Sequence, residues 1–287
     1  MKLTDIIKGE KPSLSFEVFP PKTWDAYESV MSATEQIAAL KPSYMSVTYG
    51  AGGGTSDHTV AIAENIQKNF GVTSLAHLSC ISSKKNEIKA KLDKLRESGI
   101  ENILALRGDI PNGMSREGLE YHYASELTRD IAEYGGFCIG GACYPEGHPE
   151  CESSIKDIDN LKAKIDCGCE FLTTQMFFDN NILYNFIYRL RETGVSVPVV
   201  AGIMPVTNPS QIKRICSISG TALPQRFVRI VERFGDNPEA MKQAGIAYAT
   251  EQIIDLFANG INAVHVYSMN KPDVAKAIKD NISSIIS

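Results

Sequence analysis

Short apolar segments recur along the chain, and segments with the polar face of a surface helix alternate with them. Each apolar segment has the length and the Val, Ile, Leu and Phe content of a buried strand. The eight segments read SLSFEVF, YMSVTYG, SLAHLSC, NILALRGD, CIGGACYP, FLTTQMFF, PVVAGIMP and AVHVYSMN. One βα unit per roughly 30 residues is typical of parallel construction. The pattern therefore predicts a parallel sheet whose strands are connected by helices.

Glycine marks five of the joints between a helical segment and the next strand, and an apolar residue follows each one. Glycine just after a helix adopts the left-handed conformation that ends the helix without a Cβ clash. Each joint is therefore predicted to be a helix-to-strand turn. The glycines are Gly71, Gly99, Gly168, Gly194 and Gly260.

Serine pairs precede two of the predicted amphipathic helices. Ser82 and Ser83 stand before one, and Ser153 and Ser154 stand before the other. A serine hydroxyl accepts a hydrogen bond from a free amide of the first turn. The pattern predicts that both helices begin at these caps.

Eight strands favour a closed α/β fold, the (β/α)8 TIM barrel, formed as a single domain by residues 1–287. A doubly wound open sheet is the alternative. The interval from Met204 to Ala263 is too long for one unit. It predicts an extra short helix over Pro224–Phe234 between strands 7 and 8, before the main helix at Pro238–Asn259.

Composition and charge exclude several classes of protein. The chain is 43% hydrophobic and 22% charged, which suits a large core. Its net charge is -5 and no run of Lys or Arg exceeds a pair, so no nucleic-acid partner is predicted. Asp5 and Glu10 interrupt the start where a secretory signal needs an apolar core, and no later window could span a bilayer. The sequence predicts a cytoplasmic protein.

The seven cysteines are an odd set without the spacing of a disulfide framework, which indicates free thiols in a reducing compartment. Cys167 and Cys169 raise the question of a metal. Cys169, however, occupies the apolar position that follows the glycine at the other joints. Packing is the favoured interpretation, and no metal site is predicted.

Unusual polar residues occur where the predicted strands end. In such barrels the C-terminal ends of the strands carry the chemistry, because the loops there are free to vary. Their repetition over nearly all strands predicts one shared pocket. The residues are Glu17, Thr48, Tyr49, His77, Arg107, Asp109, Tyr144, Glu146, His148, Gln175, Tyr267 and Asn270.

Each of these residues also has a structural interpretation. His77 alone fits a core histidine with satisfied hydrogen bonds, and Arg107 with Asp109 fits a structural ion pair at a strand end. The run Gly52–Gly54 resembles a phosphate cradle. It lacks both the Walker lysine and the GxGxxG spacing, so a mobile loop is the favoured interpretation.

Glu17 is the most informative of the polar residues. It lies in the buried run LSFEVFPPK, which stops at Pro20 and Pro21 because proline cannot donate to a sheet ladder. A charge in an apolar interior costs several kcal/mol unless it is paired or neutralised by a shift of its pKa. Glu17 is therefore expected to be paired or functional.

The motifs FEVFPPK, SVTYGA, AHLSC, ALRGD, YPEGH and TTQ together resemble the methylenetetrahydrofolate reductase family of FAD-containing (β/α)8 barrels. The resemblance covers nearly the whole chain and is closest to the single-domain bacterial and archaeal form. It implies a ping-pong oxidoreductase of one-carbon metabolism. NADH or NADPH reduces FAD, which then reduces 5,10-methylenetetrahydrofolate to 5-methyltetrahydrofolate.

The resemblance also assigns roles to residues. Glu17 matches the acid that protonates N10 of the folate, and Asp109 matches the residue beside the flavin pyrimidine. Gln175, Gln211 and Lys271 match substrate contacts, although some relatives have arginine in place of Lys271. The FAD site is implied to comprise Thr48, His77, Arg107, Gly108, Asp109, Tyr123, Ala124, Ala142, Tyr144, His148, Cys151, Asp157, Asn160 and Lys164.

Other activities are compatible with a barrel that carries polar residues at its mouth. A pterin-binding methyltransferase would need no flavin, and a proline dehydrogenase-like flavoenzyme would use another substrate. The chain is alternatively a flavin-containing subunit that receives electrons from a partner protein instead of a nicotinamide. A homo-oligomer is expected in any of these cases.

Overall fold

The structure is a computed structural model that describes residues 1–21, 24–49, 56–110, 115 and 117–287. Eight parallel strands form a closed barrel in chain order, and β1 pairs with β8 to complete it. The barrel is confirmed, and the open sheet is excluded. The strands are β1 Ser13–Val18, β2 Met45–Val47, β3 Ser74–Ser79, β4 Asn102–Leu106, β5 Cys138–Cys143, β6 Phe171–Thr174, β7 Val199–Ile203 and β8 Ala263–Tyr267.

Helices cover the outside of the barrel, and each predicted strand lies where the apolar pattern placed it. The helices are α1 Leu3–Ile7, α2 Tyr27–Ala39, α3 Ser56–Phe70, α4 Lys85–Glu97, α5 Ala124–Tyr134, α6 Ser154–Asp166, α7 Asn180–Glu192, α8 Pro209–Ser219, α9 Gln225–Phe234, α10 Pro238–Ala258 and α11 Pro272–Asn281. Among the described residues, no helix is both long and apolar enough to cross a membrane.

The glycine joints have the predicted backbone conformation. All five glycines have positive φ, from 66° at Gly71 to 112° at Gly168. An L-residue at these positions would place its Cβ too close to a carbonyl oxygen. The joints are therefore helix-to-strand turns, as expected.

One predicted cap is confirmed and the other is wrong. Ser153 caps α6 by accepting a hydrogen bond from the Lys156 amide. The N-cap of helix α4 is Lys84, the residue that follows the serine pair. The Lys84 amide donates to the Glu87 carboxylate at 2.8 Å. Glu87 supplies the capping oxygen, which leaves the Ser83 hydroxyl to accept from Lys91 Nζ at 2.9 Å.

The interval between β7 and β8 contains three helices. Helix α9 occupies the stretch for which a short extra helix was predicted, and α10 is the main helix. Helix α8 precedes both and was not predicted. Asn208 caps α8 and Pro209 stands at its first position, a start signal that the sequence contains.

The barrel interior changes character along its axis. At the N-terminal end α1 contributes Leu3 and Ile7 to a buried apolar cluster with Phe171 and Val200. Nearer the C-terminal end, inward positions become polar. Side chains alternate between the two faces of a strand, so Ser15 and Glu17 on β1 point to the same face. Glu17 is the member of this face that lies at the mouth.

Candidate active site

A large cavity opens at the C-terminal ends of the strands, with a volume of about 1320 Å³. Every residue that the resemblance assigned to the FAD site lines this cavity. They reach it from the ends of β2 to β5, from the loops after those strands and from helices α5 and α6. The structure therefore brings this whole predicted group together.

Glu17 lies near the end of β1, where its partners on the two adjacent strands are Ser46 on β2 and Tyr267 on β8. Its carbonyl oxygen accepts a hydrogen bond from Ser268 Oγ at 2.6 Å. Asn270 both accepts from the Phe19 amide and donates to the Phe19 carbonyl. The segment that carries the carboxyl is thus held on both sides by the loop after β8.

Burial raises the pKa of the Glu17 carboxyl from 4.5 to about 8, and a hydrogen bond donated by Ser46 would oppose the rise. The side chain is 19% exposed, so it still reaches the mouth of the barrel. His77 Nε2 lies 3.7 Å from Glu17 Oε2. Burial lowers the pKa of His77 to about 3, so the imidazole is neutral and forms no ion pair. Glu17 therefore keeps its proton at neutral pH.

The His77 side chain is only 8% exposed, and its Nε2 has no hydrogen-bond partner among the described residues. A buried polar atom without a partner costs stability, and it marks a place where a ligand atom can bind. His77 is therefore not the core histidine with satisfied hydrogen bonds that its sequence context also allowed.

A chain of polar side chains lies inside the barrel below Glu17, and the sequence analysis missed it. His265 Nδ1 is 2.7 Å from Ser15 Oγ, and His265 Nε2 is 2.9 Å from Ser46 Oγ. Ser15 Oγ is also 2.9 Å from the Val264 carbonyl oxygen. A signal was available, because Ser15, Ser46 and His265 each stand two residues before a polar strand-end residue, on the same face of their strand.

The cations of the cavity differ in their pairing. Arg107 forms a double hydrogen bond with Glu150, with both distances 2.7 Å, so its carboxylate partner is Glu150 and not Asp109, the structural alternative that the sequence allowed. Glu150 follows β5, the next strand in the barrel, and reaches the guanidinium from there. Lys164 Nζ donates to the Ala142 carbonyl at 2.8 Å, and burial lowers its pKa.

Another part of the cavity wall comes from the loop after β5 and from α6. The rings of Tyr144 and His148 meet edge to face at 4.5 Å, and the His148 amide donates to Asp157 Oδ2. Asn160 Nδ2 donates to Cys151 Sγ at 3.7 Å. These contacts hold the wall without filling the cavity.

A glycine is required where β4 ends. Gly108 has φ of 87°, and a Cβ there would lie 2.1 Å from Ser79 Oγ. Any larger residue would therefore overlap Ser79, and it would also be strained at this positive φ. The glycine thus allows the ends of β3 and β4 to pack closely where both line the cavity.

Two of the predicted substrate residues, Gln175 and Lys271, are not among the described residues that line the cavity. The Gln175 amide donates to the Cys143 carbonyl at 2.7 Å, directly after β6. Lys271 lines a small hollow between the ends of β7 and β8, where its Nζ donates to Thr207 Oγ1 at 2.6 Å. The side chain of Gln211 and the run Gly52–Gly54 lie outside the described residues.

Within the part of the chain that the structure describes, no group of His, Cys, Asp and Glu side chains could hold a metal ion. Cys169 is 3% exposed, and its Sγ donates to the Phe171 carbonyl. Cys167 lies near Arg129. The two thiols thus have separate surroundings.

The sequence profile described as methylenetetrahydrofolate reductase matches residues 2–283. Methylenetetrahydrofolate reductase (NADH) 1 of Arabidopsis thaliana is 35% identical over 99% of this chain, which spans about half (51%) of that relative. The 5,10-methylenetetrahydrofolate reductases of Pectobacterium carotovorum subsp. carotovorum and Escherichia coli (strain K12) are 35% and 33% identical over 93% of this chain. The matched part covers 88% and 89% of their lengths.

Solved structures share the fold at lower identity. A protein from Clostridium thermocellum, described as binding two copies of 5-methyl-5,6,7,8-tetrahydrofolic acid, superposes with a TM-score of 0.67 and 14% identity over 99% of this chain and all of its own. A 2,3-dimethylmalate lyase gives a TM-score of 0.55 at 10% identity over 98% of this chain and 83% of its own. These likenesses show the barrel alone. The profile match and the relatives, by contrast, show that the chain belongs to the methylenetetrahydrofolate reductase family of oxidoreductases.

Proposed function

We propose that this chain reduces 5,10-methylenetetrahydrofolate to 5-methyltetrahydrofolate in a ping-pong reaction, with FAD as cofactor and NADH or NADPH as electron donor. The names of its relatives support the substrate and the reaction. The observation that carries the proposal is Glu17, a carboxyl that holds its proton at neutral pH beside a cavity large enough for a dinucleotide.

The cavity residues fit FAD. His77 Nε2 is a buried polar atom without a hydrogen-bond partner in the described part of the chain, and Lys164 offers a cation to a diphosphate. Gly108 also lines the cavity, where its backbone carries no side chain that could block a planar ring. When bound, FAD would accept a hydride from the nicotinamide and deliver it to the one-carbon bridge of the folate.

Glu17 would act as the general acid. Protonation of N10 opens the bridge between N5 and N10 and leaves a 5-iminium cation that can accept hydride. An acid works best when its pKa is close to the pH at which it operates, and burial brings Glu17 to that range. The neutral His77 beside it adds no charge that would draw the proton away.

Asp109 would contribute a negative charge at the cavity wall. That charge favours the developing folate cation and disfavours additional negative charge nearby. Gln175, Gln211 and Lys271 are proposed to contact the folate at the ends of β6 and β8 and on α8. The small hollow beside Lys271 lies next to the loop that holds Glu17.

Two half-reactions test the proposal. Anaerobic mixing of the purified protein with NADH, and separately with NADPH, should bleach the flavin, and 5,10-methylenetetrahydrofolate should then restore its colour. In Glu17→Gln the bleaching should persist, because hydride transfer between nicotinamide and flavin needs no proton on N10. Reoxidation by the folate should be lost.

Several outcomes would contradict the proposal. A colourless protein without FAD would favour the methyltransferase. A yellow protein that neither nucleotide bleaches would favour electron delivery by a partner protein. Equal loss of both half-reactions in Glu17→Gln would remove the acid role.

We further propose that the enzyme acts in the cytoplasm as a homo-oligomer and supplies methyl groups for methionine biosynthesis. Thiols without the spacing of a disulfide framework support a reducing compartment. Sedimentation of the holoenzyme at micromolar concentration would test the assembly.

A further inference from the structure

We infer that Ser15 and His265 are positioning residues that act through Ser46 to hold Glu17 in its protonated form. The inference rests on the acid role proposed above. None of the three side chains belongs to the cavity wall or to the roles that the family resemblance assigned. Their effect follows from the direction in which each hydroxyl and each ring nitrogen must donate.

The chain of hydrogen bonds starts at a carbonyl. Ser15 Oγ lies 2.9 Å from the Val264 carbonyl oxygen and 2.7 Å from His265 Nδ1. A carbonyl only accepts and a hydroxyl has one hydrogen, so Ser15 satisfies both contacts only by donating to Val264 and accepting from His265. His265 then carries its proton on Nδ1.

The next step follows from the neutrality of His265. The ring is 2% exposed, and burial lowers its pKa to about 3. A neutral imidazole with its proton on Nδ1 has only a lone pair on Nε2. Ser46 Oγ, 2.9 Å away, must therefore donate its hydrogen to Nε2.

Ser46 then has no hydrogen left for Glu17. As a donor, Ser46 would lower the pKa of Glu17. With its hydrogen committed to His265, it presents only an oxygen lone pair to the carboxyl opposite it in the β1–β2 ladder. A protonated carboxyl can donate to that lone pair, whereas a carboxylate would face it without a hydrogen between them. The direction of the chain thus favours the acid over the carboxylate.

The opposite direction satisfies fewer contacts. With the proton on His265 Nε2, Ser15 would donate to Nδ1 and lose its bond to the Val264 carbonyl, and Ser46 would donate to a Glu17 carboxylate. The same four side chains would then favour ionisation. The Tyr44 ring stacks on His265 at 5.4 Å and 5°, which fixes the imidazole plane against rearrangement.

The other titratable groups around Glu17 carry no charge at neutral pH. His77 approaches from β3, Tyr44 directly precedes β2, and Tyr267 lies beside Glu17 on β8. Burial lowers the pKa of His77 to about 3 and raises those of both tyrosines. No charged side chain among the described residues acts on the Glu17 pKa. Burial therefore sets the raised pKa of Glu17, and the direction of the hydrogen bonds adjusts it.

The first test reads the tautomer directly and needs no folate. The protein has five histidines, and ¹⁵N-histidine labelling with NMR distinguishes a protonated Nδ1 from a protonated Nε2. The His265 signals are identified by their disappearance in His265→Gln. We expect the proton on Nδ1 at pH 7. A proton on Nε2 would overturn the inference, whether or not Glu17 is the acid.

The second test is the pH profile of flavin reoxidation by the folate in Ser15→Ala. Without Ser15 the Nδ1 proton loses its acceptor, His265 can protonate on Nε2, and Ser46 becomes free to donate to a Glu17 carboxylate. The alkaline limb should move to lower pH by about one pH unit, the size expected for one hydrogen bond to a carboxyl. Bleaching by the nucleotide should not change.

Ser13→Ala is the matched control. Ser13 is buried on the same strand, and its hydroxyl donates to the Asn262 carbonyl. It takes no part in the hydrogen bonds that link Ser15, His265 and Ser46. Its profile should coincide with that of the parent protein. An unshifted limb in Ser15→Ala, or an equal shift in Ser13→Ala, would contradict the inference.

Discussion

At the scale of single residues, the two cations Arg107 and Lys164 of the cavity wall differ in their hydrogen-bond partners. Arg107 is neutralised by its double hydrogen bond to Glu150. Lys164 donates to a backbone carbonyl and makes no ion pair with a carboxylate among the described residues. Because its charge is not neutralised by an ion pair, Lys164 is the better candidate for an anionic group of the cofactor.

We expect Lys164→Met to weaken FAD binding about tenfold, since it removes one charge-assisted contact in a partly buried site. Titration of the flavin-free protein with FAD, followed by quenching of flavin fluorescence, measures the change. Lys162→Met is the control, because Lys162 is exposed on the same helix and is not among the cavity residues. Equal affinities in the two variants would show that Lys164 does not contact the cofactor.

At the scale of elements, helix α10 is held unusually close to the loop after β7. A Cβ at Gly245 would lie 1.8 Å from the Val206 carbonyl oxygen. Val206 lines the hollow that contains Lys271, so the packing of Gly245 against Val206 positions one wall of the hollow where the folate is proposed to bind. A glycine within a helix is ordinarily unfavourable, and here its lack of a side chain allows two backbones to approach.

Gly245→Ala should destabilise the protein by about 3 kcal/mol, because the added methyl group overlaps backbone that cannot move aside cheaply. The thermal midpoint Tm measures the effect. Gln243→Ala, at an exposed position of the same helix, should change stability by less than about 0.5 kcal/mol. A Gly245→Ala variant as stable as the parent would show that the loop yields.

At the scale of the whole molecule, closure of the barrel buries the Glu17 carboxyl at the mouth, and this burial lowers the free energy of unfolding at neutral pH. The folded protein holds the Glu17 proton up to about pH 8, whereas an unfolded chain releases it near pH 4.5. Between these values the folded state binds more protons, so the free energy of unfolding falls as pH rises through this window. The acid is maintained at the expense of stability.

Glu17→Gln should therefore stabilise the protein at pH 7, by up to about 3 kcal/mol, and have little effect below pH 4.5. Comparison of Tm for the variant and the parent at pH 5 and pH 8 measures this, and the gain should be larger at pH 8. Glu133→Gln, at an exposed position on α5, serves as the control and should show no such trend. A gain that does not depend on pH would mean that the carboxyl is ionised in the folded state.

The sequence by itself determined the features that depend on neighbours along the chain. The apolar segments predicted all eight strands, and the positive φ of the joint glycines follows from the residues around them. The family resemblance, by contrast, implied the cofactor-site residues, and all of these line the cavity at the strand ends. Helix α8 and the cap of α4 were missed although Asn208, Pro209 and Glu87 carry local signals for them.

Only the tertiary structure decided which distant groups meet. Ser15 and His265 are 250 residues apart, and Arg107 and Glu150 are 43 apart, so no local pattern pairs them. The pKa of Glu17 likewise depends on the closure that removes water from its surroundings. Periodicity specifies which face of a strand is buried, whereas barrel closure specifies what each buried group contacts, and that second condition distinguishes an acid from an ion pair.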